Sequence, residues 1–135
     1  MREIKFRLRL NNKMVGCEKW YSGSNKDGNW VAKPQWLYSA NRKNWSPRYI
    51  FHNAKDLFTG LNDKNGKEIY EGDIVESSVM LGVVVWQDDC MKFIVNDTRR
   101  SGFLNFIATA NINGAEVIGN IYENPELLEG DNAAD

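Results

Sequence analysis

The chain has 135 residues, 42% hydrophobic and 26% charged, with a formal net charge of −1, enough to bury one core or two small ones without disulfides or a structural metal. No run reaches the roughly 18 apolar residues of a membrane helix, and Met1 leads into alternating charged and apolar residues instead of a signal peptide's apolar stretch, so a cytoplasmic protein off the membrane is expected. The small net charge hides an asymmetry: residues 1–50 hold 11 Lys or Arg against 3 Asp or Glu, whereas residues 51–135 hold 6 against 15.

The opening segment alternates. Ile4, Phe6, Leu8 and Leu10 share one face of a strand, and Glu3, Lys5, Arg7 and Arg9 the other. This predicts a half-buried antiparallel strand with an outer row of cations. Like-facing cations roughly 6.6 Å apart repel unless an anion lies beside them, and the acidic half of the chain is the expected source. Asn11-Asn12-Lys13 reads as a turn, residues 14–21 as a second strand, and residues 22–29 as a polar loop. Residues 30–32 and 35–38 are short strand candidates on either side of Pro34, whose missing N–H suits a sheet edge. Ser46-Pro47 combines a helix N-cap with a first-turn proline, so residues 46–57 read as one or two helical turns or, alternatively, as irregular strand.

FTGLNDKNGKEIYEGDIV, residues 58–75, is the most regular stretch. Asn65-Gly66 predicts a two-residue hairpin turn at positive φ. Residues 67–70 follow as a strand, Glu71-Gly72-Asp73 as a tight turn, and residues 74–76 as a buried strand. Residues 81–86 and 92–95 form a hairpin around Gln87-Asp88-Asp89-Cys90, and residues 97–102, with Arg99-Arg100, form a polar loop. Residues 103–108 and 115–121 complete the sheet around Asn113-Gly114. Short strands so linked predict a small SH3-like barrel. Asn124-Pro125-Glu126 opens a helix of about one turn, and residues 130–135 read as a disordered tail. The expected fold is therefore mainly β: a basic, tryptophan-rich subdomain over residues 1–57, an SH3-like barrel over residues 58–129, and a short C-terminal helix.

Three segments resemble one family. MREIKFR at residues 1–7, the block at residues 58–75, and EVIGNIYENPELLE at residues 116–129 are similar in order and spacing to the YopX family of phage and prophage proteins. Leu8-Arg9-Leu10 departs from the family's opening, which continues with a small residue and an aromatic-acidic pair. The resemblance implies a mainly β protein of phage or prophage origin in a bacterial host cell, and it assigns no activity.

Catalytic chemistry finds little support. His52 is the only histidine, which excludes a two-histidine metal site, and Cys17 and Cys90 have no metal-ligand spacing and read as two unpaired thiols. Glu68, Glu71, Asp73, Asp88 and Asp89 fall in turns and solvated faces, and Asp63-Lys64-Asn65-Gly66 lacks both the first carboxylate and the closing Glu of a calcium loop. Asn65, Gly66, Gly72 and Asp73 are structural turn residues. No cofactor, metal or catalytic residue is expected.

Binding fits better. Four of the five tryptophans, Trp20, Trp30, Trp36 and Trp45, fall in the basic half. Two partner classes follow. Opposed charge on one polypeptide suits a protein partner or a homo-oligomer. Lys5, Arg7, Arg9, Arg42, Lys43 and Arg48 among aromatic rings suit single-stranded nucleic acid, with cations for phosphates and rings for bases.

Overall fold

The computed structural model describes residues 3–25, 27–78, 80–89, 91–97, 104–106 and 114–128. Among them the protein is mainly β, with ten strands: β1 Lys5–Leu10, β2 Lys13–Tyr21, β3 Gln35–Ser39, β4 Ala54–Asn62, β5 Glu68–Tyr70, β6 Asp73–Glu76, β7 Leu81–Gln87, β8 Lys92–Asp97, β9 Leu104–Phe106 and β10 Glu116–Asn120. They form two antiparallel sheets, ordered β3-β2-β1-β4-β5 and β10-β6-β7-β8-β9. The chain divides into two compact units, Met1–Phe58 and Thr59–Asp135, with the boundary inside β4.

In the first unit, β1 and β2 meet at Asn11 (φ 53°) and Asn12 (φ 69°), a two-residue turn whose twist matches the strands it joins. At Gly16 on β2 a Cβ would stand 2.7 Å from the Ser39 carbonyl oxygen and 2.8 Å from Ile50 Cδ1, so the segment around Ile50 lies close over this strand. The helix expected after Ser46 does not form. Ser46 instead exchanges both backbone hydrogen bonds with Tyr38, at 2.7 and 3.0 Å, which holds the Pro47 segment at the sheet edge. Those bonds point the Tyr38 backbone groups away from β2, and the strand's two-residue period gives Trp36 the same direction. Pro34 comes two residues before it.

The second unit opens with the β4–β5 turn. Gly66 N–H donates to the Asp63 carbonyl at 3.0 Å and Asp63 N–H to the Lys67 carbonyl at 2.8 Å. Gly66 alone of the Asn65-Gly66 pair has positive φ, 83°. This is a longer turn ending in a left-handed glycine, not the two-residue turn expected, because the Asp63 side chain organises it. The core is formed by Ile69, Tyr70, Ile74, Val75 and Val84, all fully buried. At Gly72 (φ 91°) a Cβ would lie 2.9 Å from the Tyr122 ring, which excludes any other residue without a shift.

No pairing among the described residues joins β9 to β10, so the SH3-like closure is not seen among them. Residues 126–128 make a single helical turn. Asn124 Oδ1 accepts from Asn120 N–H at 3.2 Å, tying the turn back to β10 instead of capping it forward. Cys90, Arg99, Arg100, Asn113 and residues 130–135 lie outside the described residues. Among those described, no helix is long and apolar enough to cross a membrane.

Candidate functional site

Strand alternation gives the first unit's sheet two different faces. Register places Asp56, Arg7, Cys17 and Ser39 side by side across β4, β1, β2 and β3. On the opposite face, Leu57, Phe6, Glu18 and Tyr38 form a second row, flanked by the cross-strand pair Trp20 and Trp36.

The polar face is the buried one. Asp56, 1% exposed, accepts at Oδ2 from Arg7 Nε (3.1 Å) and Nη2 (3.0 Å), and at Oδ1 from Arg9 Nε (3.1 Å) and Nη2 (3.0 Å). Lys5 pairs with Glu3 at 3.1 Å and lies 5.1 Å over the Phe58 ring. The expected outer row of cations is therefore an inner row. Burying guanidinium groups is costly unless they are paired and hydrogen-bonded, and Asp56, directly across from Arg7 and diagonal to Arg9, meets that need. A carboxylate 49 residues along the chain from Arg7 gave no local signal in the sequence.

The aromatic face is open at its indole end, although Leu8 and Glu18 on the same face are buried, at 0% and 3% exposure. Trp20 is 40% exposed, Trp36 36% and Ile4 50%. The two indoles meet edge to face at 5.3 Å between centroids, and Phe6 stands 6.2 Å from Trp36. The Lys55 ammonium lies 4.5 Å over Phe6 and 5.7 Å from the Trp36 ring centre, and it donates to Glu18 Oε1 at 2.6 Å. Burial, the Glu18 charge and a hydrogen bond to it push the Tyr38 hydroxyl from 10.0 to about 12. Tyr49 packs on Tyr38 at 5.2 Å. Trp30 and Val31, in the loop between β2 and β3, are exposed as well, and Lys19 covers Trp45 at 4.3 Å.

The other expected cations lie in loops. Arg42, Lys43 and Arg48 are exposed. Asn41 Oδ1 accepts from Lys43 and Asn44 N–H at 2.8 and 2.9 Å, shaping the turn, and Arg42 Nε reaches Cys17 Sγ at 3.4 Å. Cys17 is buried and outside any disulfide. In the second unit the turn residues sit where the turn chemistry requires. Asp63 accepts from Asn65, Lys67 and Val117 N–H at 2.8 to 2.9 Å, and Asp73 Oδ2 accepts from Tyr70 N–H at 2.8 Å. Burial alone would raise the Asp63 carboxyl, but those three N–H bonds and the Lys67 charge hold it below 3.8. Among the described residues no group of three or more His, Cys, Asp or Glu is placed to hold a metal ion.

A family model described as YopX protein matches residues 5–129. The chain belongs to the YopX family. The match spans both units of this YopX protein, including the aromatic face and the Asp63 turn. A solved structure similar to it is the crystal structure of an Enterococcus faecalis protein, at 23% identity and a TM-score of 0.46, covering 94% of this chain and 96% of that one. No curated protein matches the chain.

Proposed function

We propose that this YopX protein is a non-catalytic protein-interaction module whose contact surface is the aromatic face of the first unit. The observation that carries the reading is the exposure of Trp20 and Trp36 together, in edge contact, beside Ile4. Large aromatic side chains held in place and open to solvent are the usual anchors of protein interfaces. Buried carboxylates support the non-catalytic part, since Asp56, Asp63, Asp73 and Glu18 are each committed to a guanidinium, a backbone N–H or an ammonium. The meander of β6, β7 and β8 supports an SH3-like reading of the second unit, and the family resemblance supports a phage or prophage setting in the host cytoplasm.

The partner's contact surface is acidic and apolar. Lys13, Lys33, Arg42, Lys43, Arg48 and Lys55 are exposed on the first unit, against Glu3 and Asp27 among its described acids. A second copy has matching chemistry, because residues 59–135 hold 5 Lys or Arg against 14 Asp or Glu, and head-to-tail contact would join the two. Light scattering at low salt should then give a multiple of 15.5 kDa that falls as salt rises. If the chain stays monomeric, crosslinking in host cells should capture a distinct partner, and the Trp20→Ala/Trp36→Ala double variant should lose it. Unchanged mass and unchanged capture in that folded variant would overturn the proposal.

The same face supports a second reading, single-stranded nucleic-acid binding, through stacking on Trp20 and Trp36 with Lys55 beside them. With about four phosphates contacted, raising salt from about 50 to about 200 mM should weaken binding roughly 50-fold. Substitution of Lys55, Lys43 and Arg48 should flatten that slope, and Arg42, whose Nε lies at Cys17 on the opposite face, should contribute less. Lys5, Arg7 and Arg9 should not contribute, being engaged with Glu3 and Asp56. No binding at low salt would remove this reading.

A further inference from the structure

Most of the exposed large apolar side chains belong to the first unit. Among the described residues of the second, only Trp86 and Met91 are of that kind. Both stand at the same end of the β7–β8 hairpin, Trp86 as the last but one residue of β7 and Met91 directly before β8. Asp88 and Asp89, both exposed, lie between them. We infer that this hairpin end, through Met91, Asp88 and Asp89, docks on the aromatic face of a second copy of the chain, an inference that rests on that face being the contact surface.

Three observations single out this end. Met91 is 75% exposed, and it has φ 52°, a left-handed conformation that glycine or asparagine takes at less cost than methionine. Its N–H closes the turn on the Asp88 carbonyl at 3.2 Å, so the backbone fixes it there. The side chain adds nothing to that turn, but its flexible thioether suits an aromatic partner, and Trp20 and Trp36 supply one. Charge is the second observation. Residues 1–58 hold 12 Lys or Arg against 4 Asp or Glu, a balance of +8 that no pairing inside the unit removes, and residues 59–135 hold 5 against 14, a balance of −9. Asp88 and Asp89 place two adjacent carboxylates of that surplus beside an exposed apolar side chain, whereas Asp63 and Asp73 are buried in their turns. An acidic tip is therefore drawn to the basic unit that carries the aromatic face. Third, Trp86 packs edge to face on Phe93 at 5.0 Å, which stiffens the hairpin beside its tip and lowers the ordering cost of docking it.

Donor and acceptor surfaces differ, so the contact is head to tail and complementation tests it. Sedimentation of the full chain at low salt should show self-association that weakens as salt rises. Met91→Gly is the informative variant: glycine takes φ 52° without strain, so the turn should survive while the thioether is lost. Self-association should then weaken at least about tenfold. Asp88→Asn with Asp89→Asn should weaken it as well and flatten its salt dependence. Mixing is the decisive step. Folded Met91→Gly keeps an intact aromatic face and folded Trp20→Ala/Trp36→Ala keeps an intact hairpin, so an equimolar mixture should pair at twice 15.5 kDa where neither variant does alone. The inference is overturned, with the aromatic-face reading still standing, if the tryptophan variant loses association while both hairpin variants keep it. A mixture that fails to pair, or a parent that is monomeric at low salt, also overturns it, and the crosslinking of Trp20 and Trp36 variants then tests the aromatic face by itself. Association that survives in the tryptophan variant removes both.

Discussion

Both units bury carboxylates, but they satisfy them in opposite ways. In the first, Asp56 is held by side chains, the guanidinium groups of Arg7 and Arg9. In the second, Asp63 and Asp73 are held by backbone N–H groups of their own turns and of β10. The backbone solution fixes a chain path and leaves nothing charged to manage. The side-chain solution places two cations on a buried face of a sheet whose opposite face is exposed at Trp20 and Trp36. One arrangement is a scaffold joint, while the other decides which side of the sheet carries buried charge.

The sharpest way to break this contrast is Asp56→Ala. Removing one partner of a buried ionic cluster leaves guanidinium groups without their carboxylate, and the expected loss is about 3–5 kcal/mol in urea unfolding. Asp63→Ala should cost less, about 2 kcal/mol, since the lost bonds go to backbone groups, some near solvent. Its pH dependence is a further test. The native carboxyl ionises below 3.8, so its contribution is full above that value and disappears as pH falls through the lower native one. A denaturation midpoint followed down in pH should drop in the parent and drop less in Asp63→Asn.

Trp20→Ala and Trp36→Ala should be mild by comparison, each about 1 kcal/mol, because the rings are partly exposed and lose mainly their edge contact. A loss near that of Asp56→Ala would mean that the aromatic face is core and not contact surface. Smallest at neutral pH is Glu18→Gln, which should bring the Tyr38 titration down from about 12 towards 10.0, read by phenolate absorbance. In the parent, stability should fall between those two values as pH rises, since the unfolded chain ionises first.

Legibility in the sequence follows the same division. The β content, the strands of residues 67–95 and the turns at Gly66 and Gly72 rest on contacts between near neighbours, and they could be read from glycine, asparagine and aspartate at fixed offsets. The Asn65-Gly66 turn type was misread because the Asp63 side chain, two residues earlier, changes the loop length. The strand period of residues 4–10 was legible, and so was the burial of Leu8, but the burial of the cationic row was not, since it depends on Asp56 far along the chain. The Ser46-Pro47 signal was outweighed by pairing with Tyr38. Trp20 and Trp36 were visible as residues, but their adjacency depends on the β2–β3 register.

The margin of β3 limits how anything can engage the first unit. With Ser46 occupying the hydrogen-bonding groups at Tyr38 and an imino acid at position 34, the free border is a single residue wide, too short to template an added strand. Strand addition at this border is therefore disfavoured.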